Sequence, residues 1–155
     1  MIVFRLCKQA YINDLSGRGA EISGGRWNNK GIAALYTASS RALAVLEVAV
    51  HVPFGILPTN YYMTIIEIPD SSEIFKIDIS DLPSNWNRNP IVKATQYIGD
   101  DFLNSNKYLT MEVPSATVTG DYNYVINPRH ADFKDLRSTL AEPFNFDLRL
   151  FKAKI

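Results

Sequence analysis

Hydrophobic and polar residues alternate along several short stretches of the chain, which is the pattern of half-buried β-strands. The first stretch covers residues 2–6, and its alternation predicts that Arg5 points away from the face that carries Phe4. Comparable β-rich stretches occur at 32–36, 61–68, 73–79, 108–113, 122–126 and 144–151. These stretches are predicted to be strands, with Tyr36 at the far end of the second one.

A helical period is clearest from Arg41 to about Val52. Ser39 or Ser40 is a suitable N-cap for this helix, and Pro53 lies just beyond its end. It is predicted to be the first long helix of the chain.

A second helix is predicted to begin with Asn89 as its N-cap and Pro90 as its first residue. Its inward face would then carry Ile91, Ala94, Ile98 and Phe102. A short helix is predicted near 132–140, and 11–23 is predicted to be a loop or a broken helix. Because strands outnumber helices and do not alternate with them one for one, residues 1–155 are predicted to form a single α+β domain with a mixed or antiparallel sheet.

The composition is that of an ordinary globular protein, with 46% hydrophobic and 21% charged residues. Lys+Arg and Asp+Glu both number 16, and the resulting zero net charge argues against sequence-independent binding to nucleic acid or anionic membranes. Cys7 is the only cysteine, which excludes an internal disulfide and favours a reducing, cytoplasmic compartment. No signal-peptide pattern and no membrane-spanning run of about 20 apolar residues is visible.

The chain has few of the cysteine and histidine side chains that usually bind transition metals. One cysteine and two histidines argue against a structural zinc site, while a carboxylate site for Mg²⁺ or Ca²⁺ is left open. The sequence also has neither a Rossmann GxGxxG turn nor a P-loop. No metal and no bound cofactor is therefore predicted.

One polar stripe on the first helix is a candidate for chemistry. A rotation of about 100° per residue aligns Ser40, Ala44, Glu47 and His51 on the polar edge of an otherwise apolar helix. The stripe is either a solvated edge or one wall of a cleft. In a cleft, an ionised Glu47 could stabilise positive charge that develops on a sugar carbon.

Two arginines are candidates for binding an anion. Arg26 follows the glycine pair 24–25 and could hold a pyrophosphate through its bidentate guanidinium group. Arg5, on a neighbouring strand, could be a second clamp. The alternative is that both make ordinary surface ion pairs.

Three further polar residues are candidates for the site. Tyr36 could stack on or hydrogen-bond to a flat ring, or it could be a core tyrosine with a satisfied hydroxyl. Ser115 follows Pro114 at a strand end and lacks a nucleophile elbow, so a hydroxyl that orients a ligand is predicted rather than a nucleophile. Asn127 begins a predicted turn with Pro128 and could support the site from a strand end.

These pieces, taken together, resemble the RES domain, the toxin half of RES–Xre toxin–antitoxin modules. They follow in order along nearly the whole chain: Phe4-Arg5, Gly24-Gly25-Arg26-Trp27-Asn28, Tyr36, Ala44, Glu47, Val113-Pro114-Ser115, Asn123-Tyr124, Asn127-Pro128, His130, and Phe146-Asp147 with Arg149. The family is named for an arginine, a glutamate and a serine. The matching residues are Arg26, with Arg5 as a second arginine, Glu47 and Ser115.

The resemblance implies a fold related to ADP-ribosyltransferases and an activity that degrades NAD⁺ at the nicotinamide–ribose bond by hydrolysis or phosphorolysis. NAD⁺ would be a substrate rather than a cofactor, with inorganic phosphate as an optional co-substrate. Glu47 and Arg26 would be catalytic, and Arg5, Tyr36, Ser115 and Asn127 would bind substrate. An Xre-type antitoxin would cover the active site and bind promoter DNA in the complex.

Two other functions are compatible with the same residues. An ADP-ribosyltransferase would use the same pocket but pass the ribosyl group to a macromolecule. A non-catalytic partner-binding domain would use the polar stripe and the arginines as an interface.

Overall fold

Seven strands form one mixed sheet in the computed structural model, which describes residues 1–53 and 55–151. The strands are β1 (Ile2–Lys8), β2 (Leu35–Ala38), β3 (Tyr61–Glu67), β4 (Ile74–Lys76), β5 (Thr110–Pro114), β6 (Tyr122–Ile126) and β7 (Arg137–Phe144). From one edge to the other, their order is β4-β5-β6-β2-β1-β3-β7. β4 and β5 are parallel, and the other neighbouring strands are antiparallel.

Three helices accompany the sheet in the described part of the chain: α1 (Arg18–Ser23), α2 (Arg41–Ala49) and α3 (Lys93–Ser105). Short 3₁₀ turns lie at Gln9–Tyr11, Ile79–Asp81, Ala131–Asp135 and Leu148–Leu150. No helix among the described residues has the length and apolar character needed to cross a membrane. The mixed sheet and the small number of helices confirm the predicted α+β class.

One face of the sheet carries both long helices. The register places Phe4 opposite Ala38, Tyr36 opposite Val125, and Ala38 opposite Asn123, so these residues share that face. α2 packs there in a buried cluster of Leu6, Ala38, Leu43, Ala44, Met63, Phe146 and Phe151. α3 packs beside it in a second cluster with Trp27, Trp86, Phe102, Leu103, Met111, Val113 and Val125. A cleft lies between the two clusters and is lined by members of both.

β1 and β2 are paired at only one position among the described residues, and the two strands diverge from there. In the described chain they meet through Phe4 and Ala38, whereas β1 pairs with β3 along its whole length. Residues from both faces of the two strands line the cleft, including Arg5 and Thr37 from one face and Tyr36 from the other. The separation therefore allows Arg5, which points away from Phe4 as predicted, to reach the same cleft as Tyr36.

The second strand begins later than predicted. Residues 32–36 were expected to form it, but β2 starts at Leu35. The Ile32 amide donates to the Asn29 carbonyl at 3.3 Å, and the Ile32 carbonyl accepts from Asn28 Nδ2 at 2.9 Å. The turn therefore extends through Ile32, because its backbone groups bond within the turn rather than to a neighbouring strand.

The end of the chain departs most from the prediction. The predicted strand at 144–151 is wrong, since β7 ends at Phe144 and Asp147 accepts from the Arg149 amide to begin a 3₁₀ turn. The alternating aromatic residues instead pack edge to face with one another, with Phe146 between Phe144 and Phe151. The predicted helix near 132–140 is limited to the 3₁₀ turn at Ala131–Asp135. β7 tolerates Pro143 because it is an edge strand.

The helix predicted to start at Pro90 starts at Lys93. Val92 is extended, and its carbonyl accepts a hydrogen bond from the Thr95 hydroxyl at 2.9 Å. Ile91 and Ala94 are exposed, while Thr95, Gly99, Phe102 and Leu103 are buried. The predicted inward face is therefore wrong at its first two positions and right at Ile98, which packs half-buried against the cluster, and at Phe102.

Candidate active site

α2 holds Glu47 at the wall of the cleft. Ser40 caps the helix, since its Oγ accepts from the Leu43 amide at 3.1 Å. The helix ends at Ala49, three residues before the predicted end. Ala44, Glu47 and His51 line the cleft, so the stripe faces the cavity from Ala44 onward; Ser40 does not line it, and His51 is also exposed.

Three side chains donate hydrogen bonds to the Glu47 carboxylate. Ser115 Oγ and Asn123 Nδ2 lie 2.8 and 2.6 Å from Oε1, and Thr117 Oγ1 lies 3.1 Å from Oε2. An ionised carboxylate only accepts hydrogen bonds, so all three groups are donors here. The donors come from the end of β5, the loop after it, and the start of β6, and together they fix the plane of the carboxylate.

The direction of the Ser115 hydroxyl is set by its own backbone turn. Its Oγ accepts from the amides of Thr117 and Val118 at 3.1 and 3.0 Å, which leaves its proton for Glu47. Ser115 is only 4% exposed. It therefore positions the carboxylate, and the expected direct contact between Ser115 and substrate stays a prediction.

The cleft has a volume of about 910 Å³ and is lined by Arg5, Arg26, Tyr36 and Glu47, among others. This volume lies in the upper part of the roughly 300–1,000 Å³ range of small-molecule sites. The structure thus brings together four of the six candidate residues from separate elements of the fold. Ser115 is attached to the same group through its hydrogen bond to Glu47.

Arg26 joins the cleft to the loop that precedes α3. Its Nη1 donates to the carbonyls of Trp86 and Arg88, at 2.6 and 3.1 Å. Burial lowers the pKa of the guanidinium group, and the charge of Glu47 acts in the opposite direction, which indicates that the two groups share one site. Both hydrogen bonds leave from Nη1, so Nε and Nη2 have no partner in the described chain and are the donors that could meet an anion.

Arg5 is fixed in a similar way from the other side of the cleft. Its Nη1 donates to the carbonyls of Tyr11 and Asp14, at 3.1 and 2.9 Å. The alternative of ordinary ion pairs is not what the structure shows for either arginine, because backbone carbonyls hold both. Each guanidinium group therefore keeps its positive charge uncompensated by a direct carboxylate partner among the described residues.

Tyr36 lines the cleft with a hydroxyl that is already engaged. Its Oη accepts from the Trp27 amide at 2.9 Å and donates to Asn28 Oδ1 at 2.7 Å. Burial raises the pKa of the phenol, so the group is neutral at ordinary pH. The ring, rather than the hydroxyl, is what Tyr36 offers to a ligand.

Asn127 lies away from the cleft. It is 1% exposed, and its Nδ2 donates to the Leu103 carbonyl at 2.8 Å and to Asn106 Oδ1 at 2.9 Å. Its Oδ1 accepts from the Arg129 amide at 3.0 Å, which closes the predicted turn. Its side chain is thus committed to joining β6 to the end of α3, and the structure does not bring it to the other candidates.

Two residues of the site were not singled out as site residues from the sequence. Thr117 and Asn123 both line the cleft and both donate to Glu47. Asn123 had a signal, since Asn123-Tyr124 is one of the pieces that resemble the RES domain and lies in a strand that the sequence predicted correctly. Thr117 had none, because its position depends on the loop between β5 and β6.

Comparison with known proteins identifies several relatives. The family model described as RES domain matches residues 2–148. A protein named Toxin Res from Photorhabdus laumondii is 40% identical over 99% of each chain. Toxin Res from Yersinia enterocolitica is 39% identical, over 97% of this chain and 99% of its own. Prs ADP-ribosylating toxin from a Sphingobium species is 39% identical over 90% of this chain and 88% of its own.

A solved structure has the same fold. The crystal structure of the M. tuberculosis MbcT–MbcA toxin–antitoxin complex includes a chain that matches with a TM-score of 0.76. The match covers 93% of this chain and 84% of that one, at 17% sequence identity. At this identity, the likeness concerns the fold alone.

Proposed function

Because the chain belongs to the RES domain family, we propose that it is the toxin of a toxin–antitoxin module and that its cleft degrades NAD⁺ at the nicotinamide–ribose bond. Two relatives at 39–40% identity that cover nearly its whole length are named Toxin Res. Their names support the toxin role. The geometry and charges of the cleft support the proposed reaction.

The observation that carries this proposal is a carboxylate held rigid inside a cleft that also presents two cations. Three donors fix Glu47, while Arg5 and Arg26 line the same cavity and are held by backbone carbonyls. A dinucleotide substrate has the matching charges, since its pyrophosphate is anionic and its nicotinamide ribose becomes cationic as the bond breaks.

The reaction breaks the bond between C1′ of the ribose and the nicotinamide nitrogen, and the electron pair leaves with neutral nicotinamide. Positive charge then develops on C1′ and the ring oxygen, and Glu47 stabilises it without reorganising, because its donors already hold it in place. The leaving group is cationic before it departs, so no general acid is required. Water or phosphate then forms the new bond to C1′ and gives up its proton to solvent.

The arginines have a different role in this scheme. The free donors of Arg26 and Arg5 would hold the pyrophosphate, and the ring of Tyr36 would pack against the nicotinamide end. These contacts place C1′ beside the carboxylate. They contribute by orientation, which can supply a large share of a rate enhancement.

Product analysis tests the proposal. The purified protein is incubated with NAD⁺, with and without inorganic phosphate, and the products are resolved by mass. If water is the acceptor, we expect free nicotinamide and ADP-ribose in both incubations. If phosphate is the acceptor, we expect free nicotinamide and ADP-ribose phosphorylated at C1′ only when phosphate is present. Intact NAD⁺ after both incubations with folded protein would contradict the proposal.

One relative favours a macromolecule, rather than water or phosphate, as the acceptor of the ADP-ribosyl group. The Sphingobium protein, at 39% identity, is named as an ADP-ribosylating toxin. The same cleft could pass the ribosyl cation to a nucleophile on a macromolecule, with the same role for Glu47. NAD⁺ labelled in its adenylate portion distinguishes the two: label retained on protein or nucleic acid indicates transfer, and label in small products only indicates degradation.

The partner we propose is an antitoxin of the Xre type that closes over the cleft. The solved structure that shares this fold is described as a toxin–antitoxin complex. With a formal net charge of zero, the chain has no general attraction for DNA, so contact with DNA would be made by the antitoxin.

A further inference from the structure

Thr117 lies beside Glu47 at the wall of the cleft. Its Oγ1 lies 3.1 Å from Oε2, and it lines the cavity, whereas Ser115 is 4% exposed and does not line the cavity. The two hydroxyl donors therefore occupy different positions. A bound molecule that reaches Glu47 meets Thr117 beside it.

The hydrogen bonds leave acceptor capacity on this side of the carboxylate. The Thr117 hydroxyl donates its single proton to Glu47, so the lone pairs of Oγ1 stay available. No donor in the described part of the chain reaches Oγ1. Oε1 receives two hydrogen bonds and Oε2 one, so Oε2 is the carboxylate oxygen with more capacity for a ligand.

Two oxygen acceptors about 3 Å apart match a ligand with two hydroxyl donors on neighbouring carbons. Each hydroxyl of such a pair donates one hydrogen bond, and the acceptors lie at a spacing similar to that of the donors. We propose that Thr117 Oγ1 and Glu47 Oε2 together hold the vicinal 2′,3′-diol of the nicotinamide ribose. Thr117 is then a substrate-binding residue that contributes specificity for ribose. This inference rests on the proposed function.

The inference differs measurably from a role in which Thr117 only positions Glu47. A positioning residue acts through the carboxylate, so its removal lowers the rates of NAD⁺ and of the analogue that keeps the hydroxyl bound to Oε2 by the same factor. A residue that accepts from a ribose hydroxyl affects only the substrate that has the hydroxyl. The ratio of the two rates therefore separates the roles.

The experiment compares kcat/KM for NAD⁺ with kcat/KM for its 2′-deoxy and 3′-deoxy analogues in the nicotinamide ribose. It uses the unsubstituted protein, Thr117→Val, which removes the hydroxyl at nearly constant shape, and Thr117→Ser, which keeps it. The analogues differ in intrinsic reactivity, but this difference is the same for every variant and cancels when ratios are compared. Circular dichroism checks the fold, and Thr117→Ala repeats the test if the valine variant does not fold.

We expect Thr117→Val to lower the preference for NAD⁺ over one of the two analogues by about tenfold, the effect of one ordinary hydrogen bond. Thr117→Ser should retain the preference. An unchanged preference in Thr117→Val, with turnover of all substrates reduced alike, would overturn the inference and leave the proposed function standing. Absence of NAD⁺ turnover by the unsubstituted protein would overturn both.

Discussion

At the scale of single residues, each polar side chain of the site is held by partners that limit what it can do. Tyr36 is an example, since its hydroxyl joins the Trp27 amide to Asn28 Oδ1 and its ring remains for a ligand. A Cβ on Gly25 would come within 2.6 Å of this hydroxyl, so the glycine pair is needed for the backbone to pass close to it. Arg26 follows directly and takes its position from the same turn.

We predict that Tyr36→Phe lowers the free energy of unfolding by about 1–3 kcal/mol, because it leaves the Trp27 amide and Asn28 Oδ1 without a partner in a buried place. Chemical denaturation measures this change. Tyr97→Phe is the matched control, since Tyr97 is 60% exposed on α3. Equal stability of the two variants would contradict the structural role of the Tyr36 hydroxyl.

The sequence predicted which residues lie at the cleft where chemistry and local pattern coincide. The stripe on α2 placed Glu47 correctly because helical geometry is regular over nine residues. The partners of Glu47 were harder to find, since Thr117 lies in a loop and its distance to α2 depends on how β5 and β6 are docked. Asn127 was expected to support the site but lies away from the cleft, because an amide side chain at a strand end is equally suited to closing a turn.

At the scale of elements, α3 is positioned by direct contact between backbones. A Cβ built on Gly99 would lie 1.8 Å from the Trp27 carbonyl oxygen, so the helix rests on the segment that carries Arg26. Gln96 Nε2 adds hydrogen bonds to the carbonyls of Gly25 and Asn28, at 3.0 and 3.2 Å. The turn at 24–28 and α3 therefore form one unit.

We predict that Gly99→Ala destabilises the protein by about 1–3 kcal/mol, since its methyl group overlaps backbone that cannot move independently. Alanine is the better helix former, so propensity alone predicts the opposite sign. Gly19→Ala in α1 is the control, because nothing lies within 4 Å of its added Cβ. Thermal denaturation compares the two, and a stabilised Gly99→Ala protein would contradict this packing.

The pairing of β5 with β6 predicts a pH dependence at the alkaline end. Tyr124 lies opposite Glu112 and donates to its Oε2 at 3.0 Å. Burial, and then the hydrogen bond to Glu112, raise the pKa of Tyr124 to about 12.

The neutral phenol is favoured in the folded state, so its contribution is complete below the unfolded pKa of about 10 and is lost as pH rises towards 12. We predict that stability falls over this range and falls less in Tyr124→Phe. Denaturation at several pH values from 9 to about 12 measures the difference between the two proteins. If the free energy of unfolding falls equally with pH in both proteins, the prediction for Tyr124 is contradicted.

The predicted bounds were most accurate for β6, an interior strand whose bounds match at Tyr122–Ile126. The error at 144–151 has a physical cause. Alternating Phe144, Phe146 and Leu148 fit a strand by pattern, but Asp147 forms a local turn and the aromatic rings pack against one another. Period alone does not distinguish a paired strand from a segment that is folded back on itself.

At the scale of the whole molecule, two regions of hydrophobic core on one face of the sheet leave a cleft that α2 and the turn at 24–28 border. The separation of β1 from β2 allows Arg5 to enter this cleft from the other face. The site is therefore a product of the complete sheet, and no single element contains it.

We predict that expression of the chain without its antitoxin stops bacterial growth and lowers cellular NAD⁺, because a site of this kind would act on a metabolite that every cell needs. Growth and NAD⁺ content are measured after induction. Co-expression of the antitoxin should restore both. Growth arrest with an unchanged NAD⁺ content would contradict degradation and favour transfer to a macromolecule.

The rate of nicotinamide release by Glu47→Gln tests the central claim most directly, since the substitution keeps the shape of the side chain and removes its charge. Glu73→Gln, the same change at an exposed position outside the cleft, is the control. We predict that folded Glu47→Gln releases nicotinamide from NAD⁺ on the order of 10²-fold more slowly than the unsubstituted protein, and that Glu73→Gln is unaffected. Equal rates for folded Glu47→Gln and the unsubstituted protein would contradict the role of Glu47.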